Sequence, residues 1–312
     1  MPWRIARQRD YRSRLFAHVE GQGIALAATG THPWADFRTQ EFIETEHYRR
    51  VAESLQYVAR RNTTFSLHAH VGVRDLDRAV RVCDRLRADL PLLLALSASS
   101  TLVDGLDSGL HSARTQIFTK SFPRCGVPDR FGSWEAFREY LEFLQRTGSI
   151  VEYTQVWWSV RPHLSFGTVE MRICDAQVTS PESEALAALI VAAVLQAARD
   201  EDEGRPCAHH PRRLIEENLW RAIRHGMDGR LIDLDRGEEE PARGALARLL
   251  ERTAEVRAEH GLRVDPPELN AAQRQRRALD AGASLREVYA ETVRETRATY
   301  APSGERAGAT AD

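Results

Sequence analysis

The sequence predicts an α+β fold, an antiparallel sheet with helices packed on one face and a last third made of helices. Three observations predict it. Two short segments alternate strictly between apolar and polar residues, as half-buried strands do. Longer segments between them repeat apolar residues at helical spacing. From about Pro206 to Tyr300 the pattern is helical, with Arg and Glu on the outer faces. If helices cover one face of the sheet, the other face is left to hold a site.

Along the chain, residues 1–29 begin as a basic, helix-like segment and pass into a short apolar strand, Gly23 to Thr29, ending at the turn Gly30-Thr31-His32-Pro33. Tyr48, Val51, Leu55 and Val58 predict a helix over 46–60. In the strand from Thr64 to Val73, Phe65, Leu67, Ala69, Val71 and Val73 point one way and Ser66, His68 and His70 the other. Asp75 can cap a helix striped by Leu76, Ala79, Val80, Cys83 and Leu86, and Pro91 opens a more buried helix through Leu96. Residues 97–112, rich in Ser, Gly and Asp, read as a long polar loop leading into Ala113 to Phe118. A further loop, through Pro123, Gly126, Pro128 and Gly132, precedes a helix from Trp134 to Thr147.

A strand over 151–160 alternates Val156, Trp158 and Val160 with Trp157 and Arg161, and leads through Pro162 and Gly167 into Thr168 to Asp175. There Val169, Met171 and Ile173 face the core, while Glu170, Arg172 and Cys174 face the polar side. Ser180 as N-cap and Pro181 in the first turn start a buried helix to Arg199, and Gly226 closes the helix Leu214 to His225. The expected organisation is a sheet-and-helix domain over 1–204, a helical region of the same domain over 205–300, and a frayed tail over 301–312.

Composition narrows the function. Lys plus Arg number 43 against 45 Asp plus Glu, so a net charge of −2 gives no reason to expect nucleic acid, and small-molecule chemistry fits better. Cys83, Cys125, Cys174 and Cys207 are widely spaced, with no CxxC pair and no signal-peptide pattern, which points to a reducing cytoplasm. The apolar run Ala185 to Ala198 falls short of the roughly 18 to 20 residues a bilayer span needs, so no membrane is expected.

If the two alternating strands share a sheet, His68, His70, Glu170 and Arg172 crowd one surface. A His-x-His pair alone is a weak signal, since strand histidines are more often structural, and Glu170 with Arg172 alone could be a same-face ion pair. Two imidazoles and a carboxylate also suit non-haem iron or zinc. Arg114, Arg161 and Arg172 favour phosphoryl transfer instead, because guanidinium forks stabilise charge developing on phosphate oxygens. No GxxxxGK[ST] loop is present, so a nucleotide would lie on the sheet. Trp157 and Trp158 read as core and rim aromatics, Cys174 as a spectator, and His209-His210 as an exposed loop.

The strings Gly30-Thr31-His32-Pro33, Leu67 to Val73, Leu94 to Ser100, Arg114 to Phe118 and Gly167 to Ala176 resemble, in this order, the type 2 glutamate-cysteine ligase family of carboxylate-amine ligases. The resemblance runs on to Asn218 to Ala222 and Arg274-Gln275-Arg276. It implies a glutamine-synthetase-like catalytic sheet, ATP with Mg²⁺ or Mn²⁺, and a γ-glutamyl amide bond formed from glutamate and an amine, cysteine most simply, through an acyl phosphate. It further implies His68 and Glu170 as metal ligands, His70 as a phosphate contact, and Arg114, Arg161 and Arg172 as anchors for phosphate or substrate carboxylate. Ser99 and His163 stand where the family usually has Asn and often Ser.

Family members are expected to carry a Gly-x-Glu-Glu-Glu strand some tens of residues before the region matching Met1. Nothing in residues 1–29 resembles it, since Asp10 and Glu20 lie in helix-like or loop context. The competing expectation is therefore an N-terminally truncated, noncatalytic homologue acting as a nucleotide-binding or interaction protein. A sheet edge left open by a missing strand would favour homo-oligomers.

Overall fold

The computed structural model describes residues 2–300, so the tail predicted over 301–312 lies outside the described residues. In chain order the elements are α1 (Pro2–Glu20), α2 (Glu46–Leu55), α3 (Tyr57–Arg60), β1 (Ala69–Gly72), α4 (Leu76–Leu86), α5 (Leu90–Ser97), the hairpin β2 (Leu102–Val103) and β3 (Leu106–Asp107), α6 (Ala113–Ser121), β4 (Cys125–Gly126) and α7 (Trp134–Arg146). Then come β5 (Trp157–Trp158), β6 (Val160–His163), β7 (Thr168–Met171), α8 (Ser180–Asp202), α9 (Arg212–His225), β8 (Arg230–Asp233), β9 (Glu238–Pro241), α10 (Ala242–Arg252), α11 (Ala254–Glu259), α12 (Ala271–Asp280) and α13 (Leu285–Tyr300). The architecture is α+β, as expected.

The central sheet is antiparallel, in the order β1-β7-β6. Its register sets His70 opposite Glu170 and Glu170 opposite Arg161, so one site-facing residue from each strand lies in a single row. Val71, Val169, Met171 and Val160 fill the other face and are all essentially inaccessible. They join a core built from α4, α5, α8, α9 and α10. α8 is long and apolar enough by length and composition to cross a bilayer, and most of it is buried inside this core.

Local chemistry sets the helix starts. Asp75 accepts from Arg78 N at 2.8 Å to begin α4, and Ser112 and Ser133 cap α6 and α7 in the same way. α8 is capped one residue earlier than expected. Thr179, not Ser180, is its N-cap, because Thr179 and Glu182 satisfy each other's backbone N–H in a capping box. The helix expected over 46–60 breaks into α2 and α3 at Gln56, whose φ is 48°.

Several expectations fail for identifiable reasons. Gly23 to Thr29 form no strand, because their polar groups meet side chains and loop backbone: Ala28 N donates to Thr296 Oγ1 at 3.1 Å and Gly30 N to Ser99 Oγ at 3.0 Å. The polar run 97–112 is largely loop, as expected, with the short β2–β3 hairpin in it, but only the stretch around 104–107 is exposed. Ser97, Ser99, Ser100 and Thr101 are buried, since Asp175, fully enclosed, draws donors inward from Ser99 N (3.0 Å), Ser100 Oγ (2.6 Å) and Ser112 Oγ (3.0 Å). The strand expected over 151–160 shrinks to β5, with a 3₁₀ turn over Tyr153–Gln155 before it and β6 after it. The hairpin β8–β9 interrupts the helical last third, with Asn218 clasping Ile232 through both its N–H and C=O. Phe65 is 55 % exposed rather than inward.

Cys174 is corrected too. Ala69 pairs with Met171 but Ser66 bridges Asp175, so three steps on one strand match four on the other. This extra residue is a β-bulge, and it turns both Ile173 and Cys174 into the core. Burial pushes the Cys174 thiol up to about 12, consistent with an inert side chain.

Gly30 seals the Asp175 knot. A Cβ there would sit 2.9 Å from Asp175 Cγ and Ser100 Cβ, whereas at Gly72 it would meet nothing. Gly30→Ala should therefore cost about 1–3 kcal/mol in urea unfolding, while Gly72→Ala should stay within about 0.5 kcal/mol. Equal costs would show that the knot tolerates a methyl group.

Candidate functional site

The site-facing row of the sheet is organised by one carboxylate. Glu170 is 2 % exposed, and each of its oxygens takes a guanidinium: Arg161 Nε donates to Oε2 at 2.7 Å and Arg172 Nη1 to Oε1 at 2.5 Å. Burial alone would raise this carboxyl. Arg172 and Arg161 outweigh burial and hold it down at about 2. Arg161 is itself fixed by the carbonyls of Thr154, at 2.9 Å, and Val156. The 3₁₀ turn ahead of β5 presents these two acceptors.

Two imidazoles close around Glu170 Oε1. His68 Nδ1 and His70 Nε2 each lie 3.5 Å from it. Arg172 Nη1 also reaches His68 Nδ1 at 3.3 Å. That donor makes Nδ1 an acceptor, so Nε2 carries the proton and donates to Ser66 Oγ at 2.8 Å. Desolvation, then the nearby charges of Arg172 and Arg114, push His68 down to about 3, and burial also lowers His70, whose Nδ1 pairs with Thr168 Oγ1 at 2.9 Å. Both rings are neutral near neutral pH. Two guanidiniums against one carboxylate leave a net positive charge on this face.

The structure thus brings together His68, His70, Glu170, Arg161 and Arg172. It puts Arg114 in a layer behind them. Arg114 is buried, with Nη1 on Ile173 O at 2.6 Å, Nη2 on Arg172 O at 3.1 Å, and Asp175 Oδ1 3.7 Å away. In this arrangement it grips the backbone that carries Arg172 rather than reaching the open face. Ser66, placed on this face from sequence without a role, and Thr168 and Asp175, not singled out, complete the constellation. Thr168 could have been, since it occupies the polar phase of the same alternation as Glu170.

The donor set distinguishes between an anion and a cation. Two guanidiniums around one carboxylate give the face excess positive charge, which suits a phosphate or carboxylate oxygen, and Arg172 Nε, enclosed beneath it, has no hydrogen-bond partner. A divalent cation fits poorly. Each Glu170 oxygen already accepts from an arginine, and among the described residues no group of three or more His, Cys, Asp or Glu side chains is arranged to hold a metal ion. The expected pairing of His68 with Glu170 as metal ligands would require displacing Arg172 from Oε1.

Comparisons with known proteins agree on a family. The sequence model described as glutamate-cysteine ligase family 2 matches residues 5–295. A protein of Solibacter usitatus provisionally named glutamate–cysteine ligase 2 is 38 % identical over 308 residues, covering 96 % of this chain and 80 % of its own. A glutamate–cysteine ligase of Natronomonas pharaonis is 38 % identical over 271 residues, covering 87 % of this chain and 74 % of its own. Among solved structures, the glutamate–cysteine ligase of Francisella tularensis in complex with AMP matches with a TM-score of 0.59 at 11 % identity, over 90 % of this chain and 75 % of that one. At that identity the likeness concerns the fold.

Glu170 is more acidic folded than unfolded, so the stability it contributes is complete above its ordinary value of 4.5 and is lost as pH falls toward 2. Glu170→Gln should cost about 3–5 kcal/mol near neutral pH, because two guanidiniums lose their counter-charge. The gap from the parent protein in urea midpoint should narrow as pH drops from about 5 to about 2. A gap independent of pH would contradict the ion-paired state.

Proposed function

This chain belongs to the glutamate-cysteine ligase family 2, and from that membership we propose that it is an ATP-dependent carboxylate-amine ligase acting in the cytoplasm. Its substrates are glutamate and an amine, cysteine first. A γ-carboxylate oxygen of glutamate attacks the terminal phosphorus of ATP and ADP leaves. The amine nitrogen then attacks the acyl carbon of the γ-glutamyl phosphate, phosphate leaves with the C–O electron pair, and the nitrogen sheds a proton as the amide forms. Phosphorylation is needed because a carboxylate is a poor electrophile.

The observation that carries this reading is the Arg161–Glu170–Arg172 row, a fixed cationic face with an unpartnered donor on Arg172. Preorganised guanidinium charge stabilises phosphoryl oxygens without rearranging during the reaction. Arg172 is the phosphate anchor, and His70, neutral and on the open face, is a phosphate contact. Arg161 and Arg114 act through the positions of Glu170 and of the Arg172 backbone. The Mg²⁺ or Mn²⁺ that the resemblance implies finds no three-ligand seat among the described residues, and no step is assigned to it.

That same feature favours a second reading. With Glu170 committed to two arginines, the face suits nucleotide binding without turnover. An assay with ATP, glutamate, cysteine and either cation separates the two. Ligation predicts γ-glutamylcysteine together with stoichiometric ADP and phosphate, and a fall of about 10- to 100-fold in kcat/KM for Arg172→Lys, since the bidentate fork is lost. ATP binding with no product under any of these conditions would support the noncatalytic homologue.

A further inference from the structure

The site face has two chemically distinct ends. At one end lie Arg172 and His68. At the other, the tip of the β6–β7 hairpin carries Phe166, 67 % exposed, stacked on His163 with ring centroids 4.3 Å apart and planes only 13° from parallel. His163 stands opposite Thr168 in the register and follows Arg161 by two residues, so it belongs to the site-facing row. His70 touches both rings edge-on, at 5.2 Å from His163 and 5.4 Å from Phe166. The aromatic pair is therefore continuous with the imidazoles around Glu170.

The pair is held in place rather than loosely displayed. Ser165 N donates to Tyr153 Oη at 3.0 Å, and the Tyr153 ring packs edge-on against His163 at 5.9 Å. Gly167, with φ at 60°, makes the turn, and its carbonyl accepts from Val73 N at 3.2 Å. One face of Phe166 rests on His163 and His70 meets the ring edge-on, which still leaves Phe166 67 % exposed. An exposed aromatic ring immobilised from beneath offers a planar ligand a stacking surface at little ordering cost.

We propose that Phe166, backed by His163, is the platform on which the nucleobase of the nucleotide stacks, with the phosphates running along the face toward Arg172. The inference rests on the nucleotide reading given above and adds to it where the base lies and what recognises it. From Thr168 to Arg172 the strand rise is roughly 13 Å, a length that an outstretched nucleoside triphosphate covers between base and terminal phosphate. Stacking is tolerant of base identity because every base has a π-face. The platform thus supplies affinity, and it discriminates nucleotides from phosphate chains that lack a base.

Calorimetry on the full chain tests this with two probes, ATP and inorganic tripolyphosphate. Phe166→Ala should weaken ATP binding by about tenfold or more and leave tripolyphosphate binding unchanged. Phe166→Trp, which keeps a stacking surface, should bind ATP within about threefold of the parent protein. Unchanged ATP affinity in Phe166→Ala would overturn the platform while leaving the nucleotide reading intact. An equal loss for both probes would also overturn it, since that reports a disturbed hairpin rather than a lost base contact. A parent protein that binds neither probe would sink the nucleotide reading and this inference with it.

Discussion

A carboxylate enclosed to 2 % exposure stays ionised only if cations follow it into the interior, and the arrangement around Glu170 is the result of that constraint. Arg161 and Arg172 meet the requirement from either side, and each must then have its remaining donors placed. Arg161 finds the carbonyls of Thr154 and Val156, which fixes the turn ahead of β5. Arg172 leans on His68, which fixes a tautomer and ties β1 to the end of β7. A single buried charge thus sets the orientation of side chains on three strands. The same grouping leaves excess positive charge on the open face, the feature an anionic ligand would use, while Arg172 Nε stays enclosed without a partner.

Behind this row a second buried acid does comparable work on the backbone. Asp175 collects Ser99, Ser100 and Ser112 and stands beside Arg114, which in turn holds the carbonyls of Arg172 and Ile173. The cap of α6, the segment at Gly30 and the bulge after β7 therefore meet at one point. Burial raises the Asp175 carboxyl and lowers Arg114, with each partly offsetting the other's shift. The pair is one unit, and its position explains why Arg114 braces the site from behind instead of lining it.

Much of the site was legible because a strand's period is two. His68, His70, Glu170 and Arg161 all occupy the polar phase of their segments, and register alone then brings them into one row. The same rule contained His163 and Thr168, whose positions carry chemistry only once the hairpin tip is folded over them. It failed at Cys174, because a bulge inserts one residue and reverses the phase. Composition read residues 97–112 as a loop, which they largely are, but not how deep its first residues lie. Serines there are buried because an acid distant in sequence needs their hydroxyls.

The sequence by itself determined the α+β class, the Asp75 start of α4, the apolar faces of β1 and β7, and which charged groups could share a surface. These rest on interactions within a few residues, or on a periodicity that one segment carries alone. The Thr179 start of α8 is equally local, a capping box completed within four residues by Glu182. Only the tertiary structure decided which oxygen of Glu170 each arginine takes, that Arg114 turns inward to Asp175, and that Phe166 comes to lie beside His70, because each of these depends on a partner from a separate segment.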